Sequence, residues 1–424
     1  MKRVVVTGIG AVSPLGNSFN DSWKATKAGL SGIAPITRFD VSELRWRVAG
    51  ELKGFDAGRY LSQKELNRVD PFVHYSVGAA MMAAEDAGLI PPTYPSPSRG
   101  EGKGGGELLS SAGVIIGSSR GGISTIEKEL KKLFDSRLMT RNFKVSAYLM
   151  PSTTISMASS YIAQKLGIKG YCLGISNSCV SGTSAIGEAY RLIRSGYRGI
   201  LLCGGTEAPV CRVCIEGYGS SGALSRYNDP SASRPFDRTR DGFVLSEGAC
   251  ILVLEDYESA LERGVRIYGE IAGYGNTTDA SHQTIPSSEG EARAIKAAID
   301  EASLKPEDID FINAHGTSTP IGDKTETEAV KLSFGKKAYY IPITSIKSMT
   351  GHMLAASGAL EAAFTLMSMN EGIIPPTINL KNRDPECDLS YVTGTRRSDI
   401  RFAISNSFGF GGVNAVLVFK RISL

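Results

Sequence analysis

Nowhere does this chain carry an apolar run of about 18 residues, the length a membrane-crossing helix needs, so no membrane span is expected. Its opening Met1-Lys2-Arg3 is followed only by Val4-Val5-Val6, too short for the apolar region of a signal peptide. A dominant charge is also missing. The 47 Lys and Arg against 43 Asp and Glu leave a net +4, which does not suggest nucleic acid and leaves room only for a local basic patch. Cysteine is present seven times, an odd and scattered number. That excludes a paired disulfide framework and predicts reduced thiols in the cytoplasm. Cys211-x-x-Cys214 has no second pair at zinc spacing, so it makes a poor metal site. The β-branched run Arg3 to Thr7 ends in Gly8-Ile9-Gly10, but Ser13 stands where a dinucleotide fingerprint needs its third glycine, Pro14 follows, and no acidic residue lies at the required distance. Histidine is scarce, with four in 424 residues, so any two in related settings stand out.

What is present is an ordinary globular composition, 42% hydrophobic and 21% charged, long enough for roughly three domains by length alone. One stretch organises the rest. The apolar run Tyr171 to Ile175 stops at Ser176-Asn177-Ser178-Cys179-Val180-Ser181-Gly182, and a helical pattern follows over Ala185 to Ile193. A strand therefore turns sharply into a helix with Cys179 on the elbow. A thiol at a helix N-terminus meets the positive end of the dipole and free N–H groups, so the expectation is a thiolate-favouring pKa.

The halves of the chain echo one another. Val265 to Gly275 resembles Arg3 to Gly10, and Ala249 to Leu254 resembles Ala415 to Phe419. Ser184-Ala185-Ile186-Gly187-Glu188-Ala189 can be laid on Ser357-Gly358-Ala359-Leu360-Glu361-Ala362, which places Cys179 on His352. Two β/α halves, 1–260 and 261–424, fit one duplicated core better than three unrelated domains. Residues 91–106, rich in Pro, Ser and Gly, read as a low-complexity surface loop inserted into the first half. A helix is predicted within 60–90, with Val73, Val77, Ala80, Met81 and Ala84 on one face, His74 packed beside it, and Lys64 and Arg68 as an i, i+4 basic pair near its start. The polar stretch 225–242 is predicted to be a long ordered loop near the site.

Three further segments carry chemistry. Asn313-Ala314-His315-Gly316-Thr317-Ser318-Thr319-Pro320 presents His315 and two hydroxyls at a strand end. Lys347-Ser348-Met349-Thr350-Gly351-His352 opens the helix that carries Glu361. Asn406-Ser407-Phe408-Gly409-Phe410-Gly411-Gly412 is a glycine-rich turn that lets backbone approach a ligand. A cysteine with two histidines suits acyl transfer: the sulfur holds an acyl group as a thioester, and two neutral imidazoles can donate to the oxygen of an enolate formed when CO2 leaves. Hydrolysis would need one histidine and an orienting carboxylate or amide. Lys347 and Glu361 could set the charge and orientation of His352, and Thr317 and Thr319 could bond an amide-bearing arm.

These four motifs, in order and spread over the whole chain, resemble the β-ketoacyl-acyl carrier protein synthases, closest to the synthase II branch of fatty acid synthesis. The resemblance implies a thiolase-like five-layer αβαβα fold and a cytoplasmic homodimer that works with acyl carrier protein. It implies no cofactor beyond the phosphopantetheine carried by that partner, and no metal. Cys179 would be the acyl-carrying nucleophile, and His315 with His352 would serve malonyl decarboxylation and condensation. The N–H groups of Cys179 and Phe410 would form the oxyanion hole, Phe410 beside Gly409 would be a gate, and Thr317, Thr319 and Thr284 would meet the arm. Lys64 and Arg68 match positions that receive the acidic carrier, although Asn67 replaces a further basic residue. A ketosynthase of a polyketide or specialised lipid pathway would share all these residues. A non-catalytic chain-length partner would lack the nucleophile, and a degradative thiolase would resemble a Cys–His–Cys site, whereas His352 stands at the third position here.

Overall fold

Ten strands form the sheet of the computed structural model, which describes residues 1–92, 106–134, 145–197 and 199–422. In chain order they are β1 Val4–Val12, β2 Gly113–Gly117, β3 Cys172–Ile175, β4 Ile200–Glu207, β5 Gly248–Asp256, β6 Gly269–Thr278, β7 Phe311–Asn313, β8 Ile343–Thr344, β9 Phe402–Gly409 and β10 Val413–Lys420. Their spatial order is β8-β7-β9-β10-β6-β1-β5-β4-β2-β3. Read outward from the centre, both halves repeat one pattern: two antiparallel pairings (β1–β5–β4, β6–β10–β9), then two parallel ones (β4–β2–β3, β9–β7–β8). The halves join where Val4, Val5 and Val6 run antiparallel to Ile271, Glu270 and Gly269.

Helices lie on both faces of each half. They are α1 Pro71–Asp86, α2 Met157–Leu166, α3 Ser181–Arg194, α4 Ser288–Glu301, α5 Pro320–Phe334 and α6 Ala355–Glu371. Strand alternation sorts the core. Leu202, Ile251 and Val253 pack outward with Val73, Val77, Ala80 and Ala84 of α1 and with α2 residues such as Ile162. Leu201, Cys203, Cys250 and Leu252 pack inward with Ile186, Ala189, Ala359 and Phe364 of α3 and α6. In the second half, Val416 and Val418 face α4 and α5, while Ala415, Leu417 and Phe419 join the inward cluster. The two halves of the one sheet thus act as separate layers, giving α1/α2, first sheet half, α3/α6, second sheet half, α4/α5. Every residue of α6 from Ala355 to Met369 is buried, as a helix between two sheets must be. Each large apolar side chain taken fully out of water there contributes about 1.5–3 kcal/mol.

The glycines of the Gly8-x-Gly10 run have a packing role. A Cβ on Gly8 would sit 2.3 Å from the Ala83 carbonyl oxygen, and one on Gly10 would sit 2.0 Å from that of Ala79. Gly273 and Gly275 stand in the same relation to Ala298 and Ala294 of α4, at 2.2 and 2.0 Å. In each half an outer helix therefore rests directly on backbone.

Two expectations are corrected here. Lys64 lies on a separate short helix, Gln63–Leu66, and Arg68 lies beyond its end, so the pair does not ride on α1. Asp70 caps α1 and Pro71 begins it, which fixes that boundary. Glu361 sits on α6, which starts after His352, whereas Lys347 belongs to a separate turn of helix, Lys347–Thr350. His74 packs as expected, with Nε2 3.2 Å from the Leu66 carbonyl oxygen. Residues 225–242 form a long connection without a regular element. The 91–106 insertion falls almost wholly outside the described residues.

Candidate active site

β3 ends at Ile175, and the chain bends through Ser178, whose φ of 48° is left-handed, before α3 begins at Ser181. Ser181 Oγ locks the bend. It accepts from Asn177 N at 2.8 Å and donates to the Ser178 carbonyl at 2.6 Å. Cys179 is thereby held at the mouth of the helix. Gly182 allows the next approach: a Cβ there would meet the Ala355 carbonyl oxygen at 2.2 Å. The first turns of α3 and α6 therefore cross at backbone contact, which brings the elbow to His352.

His352 follows a second left-handed residue, Gly351, with φ of 69°. Its N–H donates to the Val244 carbonyl at 2.8 Å, and its carbonyl accepts from Ser246 N at 3.0 Å. Its Nδ1 lies 3.2 Å from Ser357 Oγ, which also accepts from Met353 N at 2.9 Å. The serine hydrogen is then free for Nδ1, an assignment from the network that puts the ring proton on Nε2. His315 stands just past β7. Its N–H and that of Gly316 donate to the two oxygens of Glu326 at 2.8 and 2.7 Å, and Asn406 Nδ2 donates to Glu326 at 3.0 Å. The imidazole centroids are 5.4 Å apart and the rings nearly perpendicular, at 85°.

Lys347 is fully buried, and its Nζ is 2.5 Å from Glu361 Oε1. It hydrogen-bonds Glu361 rather than His352, so orientation of the imidazole comes from Ser357. Its charge still acts on both rings. Burial first and the Lys347 cation second push both histidines well below the ordinary imidazole pKa, and His352 lowers His315 further. The two imidazoles are therefore neutral at physiological pH, and each can donate one N–H.

The cysteine departs from expectation. Burial pushes the Cys179 thiol up to about 11, although Arg120, Lys347 and a hydrogen bond from the Phe410 N–H oppose it and Glu207 assists it. Desolvation outweighs the helix end, so the resting group is a thiol, not a thiolate.

Cys179, His315 and His352 line one cavity of about 370 Å³ with Phe410, Gly409, Phe408, Phe243 and Tyr218. Thr284, Thr317 and Thr319 line it too. Thr317 and Thr319 share a hydrogen bond of 2.9 Å, and Thr319 caps α5 by accepting from Gly322 N. Lys64 and Arg68 are not among the lining residues; Lys64 is exposed, and the Arg68 guanidinium stacks 4.5 Å from the Tyr148 ring. Sequence reasoning missed Ser357, Glu326 and Glu207. Ser357 lay inside the recognised repeat, five residues past His352, and was the one with a local signal.

This doubled five-layer scaffold is the thiolase-like architecture of ketosynthases. Residues 1–260 match the beta-ketoacyl synthase N-terminal domain and residues 268–381 its C-terminal domain. The chain belongs to the beta-ketoacyl synthase family. It is 46% identical over 426 residues to the 3-oxoacyl-(acyl-carrier-protein) synthase 2 of Synechocystis sp., covering 99% of this chain and 98% of that one. It is 43% identical to the protein of the same name from Staphylococcus aureus strain N315, again over 99% and 98%. Among solved structures, a type II polyketide synthase acyl-carrier protein in complex with its ketosynthase bound to the hexaketide (AntDE:AntF) matches with TM-score 0.86 and 32% identity, covering 99% of this chain and 100% of that one.

Proposed function

We propose that this chain is a 3-oxoacyl-(acyl-carrier-protein) synthase that elongates fatty acyl chains by decarboxylative condensation. The observation that carries the reading is one cavity lined by a single thiol and two neutral imidazoles from opposite halves of the duplicated fold.

The chemistry divides into two transfers. Cys179 sulfur attacks the thioester carbonyl of an acyl-carrier. Its proton passes to the departing carrier sulfur through a neighbouring imidazole, and the acyl group stays on Cys179. The N–H groups of Cys179 and Phe410 face the oxyanion, and the Phe410 N–H already points at the sulfur. A malonyl-carrier then enters. Its carboxylate leaves as CO2, and the electron pair left behind forms an enolate whose oxygen accepts from the two imidazole N–H groups. The enolate carbon attacks the acyl carbonyl, the Cys179–acyl bond breaks, and the 3-oxoacyl chain departs on the carrier while the sulfur takes up one proton from solvent. A histidine already protonated could not accept the Cys179 proton in the loading step, and burial with Lys347 keeps both rings free to do so. Phe410 is the gate beside the acyl group. Thr284, Thr317 and Thr319 receive the phosphopantetheine arm, and Lys64 and Arg68 receive the acidic carrier. No other cofactor and no metal enters these steps.

The enzyme works as a cytoplasmic homodimer on this reading. The half-exposed edge strand β3, with Leu173 37% exposed, supports pairing with a second copy. No helix among the described residues is long and apolar enough to cross a membrane. A polyketide ketosynthase is the second reading, favoured by the fold match above. The higher identity to the synthase 2 proteins, 46% and 43% against 32%, supports fatty acid elongation.

Intact-mass spectrometry tests the assignment. With acyl-carrier substrate, the wild type gains one acyl mass, Cys179→Ala gains none, and His315→Ala gains it but forms no 3-oxoacyl product. Labelling of Cys179→Ala would remove the sulfur from the mechanism.

A further inference from the structure

One buried acid in the cavity is left idle by the mechanism above. Glu291, on the first turn of α4, is 1% exposed and lines the same cavity as Cys179 and the histidines. Its Oε2 has no hydrogen-bond partner among the described residues. Its acidic neighbours are all occupied. Asp279 accepts from Asn414 Nδ2 at 2.7 Å and Ser287 N at 3.0 Å. Asp323 accepts from Phe236 N at 2.8 Å and Ser318 N at 3.0 Å, and Glu326 is filled by His315, Gly316 and Asn406. A buried polar atom without a partner is costly, and native structures keep few of them.

We infer that Glu291 is a specificity-determining residue whose buried, unpartnered carboxyl donates a hydrogen bond to a carbonyl oxygen of the carrier's amide-bearing arm inside the cavity. Burial, with Glu326, Asp279 and Asp323 close by, raises this acid well above the ordinary carboxyl range, so the proton to donate is present at neutral pH. The partner is an acceptor, because a neutral carboxyl offers its proton, the neighbouring acids are filled by other donors, and among the described residues no cation is close to Glu291. The arm offers amide carbonyls, and the cavity that Glu291 lines is also lined by Thr317 and Thr319. This rests on the condensing-enzyme reading and deepens it.

Steady-state condensation with malonyl-carrier separates the possibilities. Glu291→Ala is expected to raise KM for malonyl-carrier about 5–10-fold with kcat within twofold, and Glu291→Gln, which keeps a neutral donor, to stay within twofold of wild type in both. Thermal melts supply the second reading: removing an unsatisfied buried acid should hold or raise Tm, whereas a structural acid would lower it. An unchanged KM in Glu291→Ala overturns the inference, as does a Glu291→Gln as impaired as Glu291→Ala, or a KM rise accompanied by a lowered Tm. Failure of the underlying reading looks different, since the wild type would then form no 3-oxoacyl product at all.

Discussion

The starts of α3 and α6 are the same device built twice. Each has a left-handed residue, Ser178 or Gly351, followed at once by a chemical group, Cys179 or His352, and then by a helix wedged between the sheets. The difference lies in what stands behind each group. Behind Cys179 is a buried acid, Glu207, held by the Ser118 and Ser119 hydroxyls and by the Ser119 and Arg120 N–H groups. Behind His352 is a buried cation, Lys347, paired with Glu361. Burial, assisted by Glu207, holds the thiol protonated against the pull of Arg120 and Lys347. Burial, assisted by Lys347, holds the resting imidazoles unprotonated. One backbone geometry thus serves two protonation requirements, and desolvation is the main cause of both.

The largest break in this comparison is Lys347→Met. It strands Glu361 in the core and removes the cation that acts on both rings. Breaking a buried pair from one side costs about 3–5 kcal/mol, so Tm should fall steeply in calorimetry. With the cation gone the imidazole pKa values rise, so condensation should fail at a higher pH on the acid side than in wild type, while remaining intact at pH 8. A pH–rate profile unchanged from wild type would show that burial alone controls the rings.

His74 gives a reference without a cation. Burial alone lowers it to about 4, against backbone acceptors that raise it. A depressed pKa contributes stability that is full above the unfolded value of about 6.5 and is lost as pH falls toward 4. The loss is about 3 kcal/mol at one unit per 1.36 kcal/mol. Tm measured from pH 7 to 4 should drop less in His74→Gln than in wild type; parallel curves would contradict this.

The smallest effect tests orientation. Ser357→Ala leaves Nδ1 of His352 and the Met353 N–H without their partner, and condensation is expected to fall about tenfold with a modest drop in Tm, while acylation of Cys179 holds. Equal losses in acylation and condensation would show that Ser357 supports the elbow rather than the ring.

Much of this was legible in the chain. The repeat offset of Ser184 onto Ser357 and the glycine-flanked histidines put the three groups in one place, because strand ends and helix starts are written locally. Gly8 and Gly10 stood out only as an incomplete dinucleotide fingerprint, because their reason, contact with α1, depends on residues seventy positions away. The thiol was misjudged because a helix end is local and visible, whereas the burial that overrides it comes from four segments closing together. Glu326 and Glu291 were invisible for the same reason: an acid on a helix looks like a solvated face until the neighbouring helix covers it.

The seam between the halves has a consequence for synthesis. Val4–Val6 hydrogen-bond on one side to residues near 255 and on the other to Gly269–Ile271. This strand is therefore finished by partners lying some 250 residues further along the chain, and its pairing waits until they have emerged. Cutting the chain into separately expressed halves would leave this strand as an open sheet edge on the first fragment, an edge prone to pairing with other chains.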